Sequence, residues 1–128
     1  MSAIEELAVG GFYRCTAPGG EDPVRIWVGR IDLERDLGAR AVEPVVSLIV
    51  KSMEEDMPTI SHAPFGLDAV LDGLPEAMEP FDIAGVSFAV SYDNWRRDWD
   101  AGRAGAWDVS PAEAYAGMLE AMRKGIGR

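Results

Sequence analysis

The chain has 128 residues and a formal net charge of −10 at pH 7, and hydrophobic residues make up 48% of it. This length fits one globular domain over residues 1–128, large enough to bury a core without a metal or a disulfide. The single cysteine and single histidine exclude an internal disulfide framework and the usual zinc sites, so we expect no metal and no cofactor. The negative charge predicts that neither nucleic acid nor a membrane surface is a partner.

The sequence also predicts where the protein resides. No stretch reaches the ~20 apolar residues of a membrane span, and the first ten residues lack the basic and apolar regions of a signal peptide. Together with a single free cysteine, these features predict a cytoplasmic protein. Ten arginines against two lysines, with no glutamine, indicate a bacterial source.

Strand patterns dominate the first half of the chain. An aromatic run near 12–15 precedes a loop rich in glycine and proline, and the run near 24–31 alternates between its two faces, so the two predict a hairpin. A charged segment with one helical turn at 33–37 follows. The run near 45–51 is apolar on both faces, which places it inside a sheet that is covered on both sides. A further candidate strand near 106–109 would form an edge.

The first longer helix is predicted near residues 64–74. Apolar residues recur there with helical spacing from Leu67 to Leu74, and Pro64 suits the first turn. A glycine and a proline at the end of the segment act as stop signals.

The segment 81–92 fits two structures, because its alternation suits a strand while its aromatic residues continue a helical stripe. That stripe consists of Phe88, Tyr92, Trp95 and Trp99. We favour an extended piece near 83–87 followed by a helix near 88–101, because the stripe is longer than the alternating run.

The last helix is predicted near residues 111–124. Ser110 suits the N-cap, Pro111 the first helical position and Glu113 the third, which completes a capping box. The elements together predict an α+β fold, in which about three helices cover a small, mainly antiparallel sheet.

Few residues in the sequence carry obvious chemistry. His62 is the only imidazole, and it could act as a general base or contact a ligand, with Tyr13, Arg14 and Arg25 as candidate neighbours in a pocket. The alternative is a histidine that satisfies the backbone of a loop. Cys15 could act as a nucleophile only beside that histidine, and we expect it to be a half-buried cysteine of a strand. We identify no catalytic constellation.

Interface candidates are easier to find in the sequence. Tyr92, Trp95 and Trp99, with Arg96 beside them, have the residue types that anchor protein interfaces, although they would also serve to cover a sheet. Residues 43–82 carry a net charge of −8, which could attract a basic protein or the arginines of a second copy.

The sequence therefore predicts a non-catalytic protein-binding or self-associating module, with a homodimer or a basic protein partner. The alternative is a small-molecule-binding protein or an enzyme with a pocket near His62.

Overall fold

Five strands form one open antiparallel sheet in the computed structural model, which describes residues 7–16 and 19–126. The strands are β1 (Phe12–Cys15), β2 (Val24–Asp32), β3 (Val45–Ser52), β4 (Thr59–Gly66) and β5 (Glu76–Ala77), in the spatial order β4-β3-β2-β1-β5. The described residues also form four helices, which are α1 (Glu34–Leu37), α2 (Leu67–Asp72), α3 (Phe88–Asp100) and α4 (Pro111–Ile126). The predicted α+β fold is confirmed, and no helix in these ranges has the length and apolar character to cross a bilayer.

The sheet is covered on both sides, as the two apolar faces of β3 predicted. Val46, Leu48 and Val50 are fully buried in a core that includes residues of α2 and α4. On the opposite face, Val45 packs in a second core with the aromatic residues of α3. We call these two sides the α4 face and the α3 face. β3 lies between β2 and β4, so the prediction that it is an interior strand is confirmed.

The predicted helix near 64–74 is wrong at both ends, because residues 64–66 belong to a strand and residues 73–74 lie beyond the helix. Residues Thr59–Gly66 form strand β4, and only Leu67–Asp72 is helical. The helical spacing from Leu67 onward is real, but the chain before it must pair with the free edge of β3. Without that pairing, the backbone N–H and C=O groups along the edge of β3 would be buried without partners, which is costly. Pro64 lies opposite Ser47 within this ladder.

Two smaller predictions also fail. Residues 106–109 form no strand, because only Trp107 makes a bridge, parallel to Phe65 at the outer edge of β4. The piece near 83–87 is an irregular loop in which Gly85 has a φ of 81°. The strand β5, which sequence analysis missed, has only two residues and pairs with β1.

The remaining elements match their predictions closely. β1 and β2 form the expected antiparallel hairpin, and the short helix α1 takes up the predicted turn. α3 begins at Phe88 as expected, and α4 begins at Pro111. The backbone N–H of Glu113 donates to Ser110 Oγ at 3.3 Å, which is one half of the predicted capping box.

Candidate binding site

His62 lies under helix α3 and packs against its aromatic side chains. Its Nε2 is 3.0 Å from Ser47 Oγ, and its ring lies 5.5–5.7 Å from the rings of Phe88, Tyr92 and Trp95. Burial lowers the pKa of His62 to about 4, although the negative charge of Asp32 acts in the opposite direction. A neutral imidazole in this aromatic setting holds α3 on the sheet.

A buried carboxylate fixes the middle of α3 to the sheet. Asp32 accepts hydrogen bonds from Tyr92 Oη at 2.9 and 3.1 Å, and from Arg30 Nε at 3.1 Å. Arg96 reaches the same carboxylate at 3.4 Å, and it also bonds to Asp100 and to the carbonyl of Asp36. The guanidinium of Arg96, a predicted interface residue, is therefore engaged within its own chain.

The two tryptophans of α3 lie in the second core. Trp95 is 8% exposed and Trp99 is 5% exposed. Their indole N–H groups donate to the carbonyls of Gly105 and Leu37, respectively, at 2.9 and 2.8 Å. Because both rings and both donors have partners inside the chain, the stripe itself offers little free surface to another protein.

The structure does not bring the predicted ligand residues together. Tyr13 is buried on the α4 face, where its hydroxyl accepts from the Ala8 N–H at 2.8 Å. Arg14 and Arg25 are cross-strand partners in β1 and β2. β2 is two strand positions from β4, which carries His62, and β1 is three. Arg25 is bound to the carbonyl of Ser52 and to Glu55.

Cys15 lies in strand β1 as predicted, but it is fully buried in the core of the α4 face and not half-buried. Burial raises the pKa of its thiol to about 12, so the thiolate that nucleophilic chemistry requires does not form at neutral pH. Among the described residues, no three histidine, cysteine, aspartate or glutamate side chains converge to hold a metal ion.

A groove on the α4 side is the site that the fold builds most clearly. The β2–β3 ladder pairs Val24 with Ser52, which places the loop before β2 beside the loop after β3. Helix α4 forms the facing wall, and the cavity between them has a volume of about 570 Å³, within the usual range for ligand sites. We call this cavity the acidic groove. Its lining side chains are Glu21, Asp22, Pro23, Val24, Ser52, Met53, Glu54, Met57, Ala112, Tyr115, Ala116 and Leu119.

The wall formed by α4 follows from helical spacing. Four of its residues lie at positions i, i+3, i+4 and i+7 and so share one face of the helix, namely Ala112, Tyr115, Ala116 and Leu119. Tyr115 donates its hydroxyl to the carbonyl of Pro58, which fixes this wall to the chain that leads into β4. Burial raises the pKa of Tyr115, so the hydroxyl stays protonated as a donor.

Only one sign of charge lines this region. Glu21, Asp22 and Glu54 line the acidic groove, and an adjoining cavity of about 250 Å³ shares Glu21 and adds three more carboxylates. Those three are Asp72, Asp108 and Glu113. No lysine or arginine lines either cavity, and none of the six carboxylates forms an ion pair with a described residue.

Glu21 has an unsatisfied oxygen at the junction of the two cavities. Its Oε2 is buried and has no hydrogen-bond partner within ranges 7–16 and 19–126. Buried polar atoms normally have partners, because an unmade hydrogen bond costs free energy. A cationic donor from outside the chain would satisfy this oxygen.

Comparison with known proteins gives no family for the chain. No protein-family model, no curated protein and no solved structure matches it.

Proposed function

We propose that this chain is a non-catalytic protein-binding module that holds a basic, amphipathic segment of another protein in the acidic groove. The observation that supports this proposal is an apolar floor bordered by carboxylates, with no lysine or arginine in the lining. Apolar contact would supply the affinity, while the carboxylates would select a partner of opposite charge and speed its approach.

The floor of the groove suits a protein segment. Met53 and Met57 have flexible, polarisable side chains that adapt to varied apolar surfaces, and Met53 is partly exposed. Tyr115 and Leu119 add a rigid ring and a branched side chain on the helix opposite. An amphipathic segment with lysines or arginines flanking its apolar residues would match both the floor and the rim.

The alternative of a small-molecule site or enzyme near His62 has less support. None of the cavities described above includes His62. Its imidazole lies within hydrogen-bonding distance of Ser47 and packs against three aromatic rings.

The first experiment measures binding of a synthetic peptide in which leucines recur at i, i+3, i+4 and i+7 and lysines fill the other positions. We expect fluorescence anisotropy to show saturable binding that weakens with added salt, because screening acts on exposed charges. Replacement of Glu21 and Glu54 by glutamine should weaken binding at least about tenfold, since two charge-assisted contacts are lost. A peptide with glutamate in place of lysine should not bind.

The matched control is the double variant Glu34→Gln with Glu79→Gln. It removes the same charge from exposed positions outside the groove, so the total charge of the two double variants is equal. If the control weakens peptide binding as much as the groove variant does, attraction to overall charge explains the result and the proposed site is wrong. Leu119→Asp provides a second check, because it places a charge on the apolar floor.

A further inference from the structure

A second surface lies at the end of the sheet where β3 begins and β4 ends. The loop 40–43 meets the loop 104–108 there, around a cavity of about 310 Å³. Val42 projects beside this cavity with 90% of its surface exposed, and Trp107 borders it with 50% exposed. We call these two side chains, with Arg40 and Asp108, the sheet-end patch. Exposed apolar surface of this kind marks interaction sites.

The sheet-end patch carries both signs of charge. Arg40, Glu43 and Asp108 line the same cavity. Glu43 accepts a hydrogen bond from the N–H of Asp68 at 2.8 Å, whereas neither Arg40 nor Asp108 forms an ion pair with any residue in the described ranges. The guanidinium of Arg40 is 4.4 Å from the ring centroid of Trp99, and its Nη1 bonds to the carbonyl of Ala104 at 3.4 Å. The cation is thus held in place without a carboxylate partner.

We propose that the sheet-end patch binds the same patch of a second copy of this chain. An interface with twofold symmetry pairs a surface with itself, so the surface must be complementary to itself. The acidic groove does not meet this condition, because its carboxylates would face the same carboxylates of the second copy. In the sheet-end patch, Arg40 of each copy would face Asp108 of the other, which gives two contacts between opposite charges. In the same dimer, the exposed side chain of Val42 would pack against the cavity of the second copy.

The backbone geometry indicates that side chains make this contact. Trp107 donates its N–H to the carbonyl of Pro64 and accepts from the N–H of Gly66, at 2.8 and 3.0 Å. This bridge occupies the outer edge of β4 next to the patch, so a second copy cannot extend the sheet there. Trp107 remains as an aromatic anchor, and tryptophan is enriched among the residues that dominate interface energies.

Sedimentation equilibrium over a range of concentrations tests the proposal at about 150 mM salt. We expect the mass to rise from 13.9 kDa toward twice that value as the concentration approaches about 500 µM. Trp107→Ala and Val42→Asp should each weaken association at least about tenfold. Val90→Asp is the matched control, because Val90 is also an exposed valine but lies on α3, outside the patch. A wild-type chain that stays monomeric at the highest concentration would overturn the proposal.

A charge exchange provides the sharper test. Arg40→Glu alone and Asp108→Arg alone should each place like charges opposite one another and abolish the dimer, while thermal unfolding checks that each variant is folded. An equal mixture of the two variants should dimerise again, because every contact in the mixed pair joins opposite charges. A mixture that associates no better than either variant alone contradicts the proposal. The double variant Glu21→Gln with Glu54→Gln should dimerise normally, so failure of the groove proposal leaves this test unaffected.

Discussion

A neutral histidine inside an acidic protein links stability to pH. His62 contacts three aromatic rings and Ser47, and the negative charge of the Asp32 carboxylate acts on it. Burial opposes a positive charge at this position more strongly than Asp32 favours it, and the pKa falls to about 4. In the unfolded chain the imidazole has an ordinary pKa of about 6.5.

We expect this difference to destabilise the fold as the solution becomes more acidic. Between pH 6.5 and pH 4 the unfolded chain binds a proton at His62 that the folded chain does not, so the stability present above pH 6.5 decreases across that window. Because the chain has one histidine, its ring proton resonances in NMR spectra report the folded pKa directly.

The control is His62→Gln, which keeps a polar group near Ser47 and removes the titration. Urea unfolding of both proteins from pH 7 to pH 4 should show a steeper loss of stability for the wild type. A folded pKa of 6.5 or higher would show that the imidazole is more open to water than the structure indicates.

At the scale of the elements, β3 is central to the stability of the fold because it contributes to both cores. Leu48 is fully buried on the α4 face, and its strand has hydrogen-bonded neighbours on both sides. We expect Leu48→Ala to lower the free energy of unfolding by about 2–5 kcal/mol, since the cavity left behind adds to the lost burial. Urea unfolding measures this change. Val90→Ala, at an exposed site on α3, should change it by less than about 0.5 kcal/mol, and equal effects would contradict the central role of β3.

Local patterns explain which elements the sequence could predict. The alternation in β2, the apolar run of β3 and the capping residues of α4 each lie within one short segment. β4 escaped prediction because its strand state depends on the unpaired edge of β3, which is a requirement of the whole sheet. The residues of β4 carry Pro64 and precede a true helical stripe, so the local pattern favoured a helix.

The acidic groove could have been partly predicted. Once residues 24–31 and 45–51 are taken as antiparallel neighbours, the loop before the first strand must lie beside the loop after the second, and both loops are rich in carboxylates. The contribution of α4 could not be predicted in this way, because no local signal shows which side of the sheet a helix covers. His62 was the stronger candidate in sequence because it is unique, yet the structure uses it to pack α3.

Over the whole molecule, the paired carboxylate of Asp32 and the unpaired carboxylates of the acidic groove lie on different surfaces. On the α3 side, the buried Asp32 carboxylate is paired with Arg30 and Arg96. The acidic groove and its adjoining cavity hold six carboxylates without a cation at hydrogen-bonding distance among the described residues. Like charges gathered in this way repel one another and oppose folding of the isolated chain. A partner of opposite charge would remove this repulsion.

Neutralisation of the groove should therefore stabilise the isolated chain while it weakens binding. We expect Glu21→Gln with Glu54→Gln to raise the free energy of unfolding by about 0.3–1 kcal/mol, the range for partly exposed charges. Added salt should stabilise the wild type more than this variant, because screening relieves the same repulsion. Glu34→Gln with Glu79→Gln should give no such gain, since Glu34 lies in the first turn of α1, where a negative charge is favourable. A groove variant less stable than the wild type would mean that these carboxylates make stabilising contacts within the chain, and a purely structural role would then account for the acidic groove.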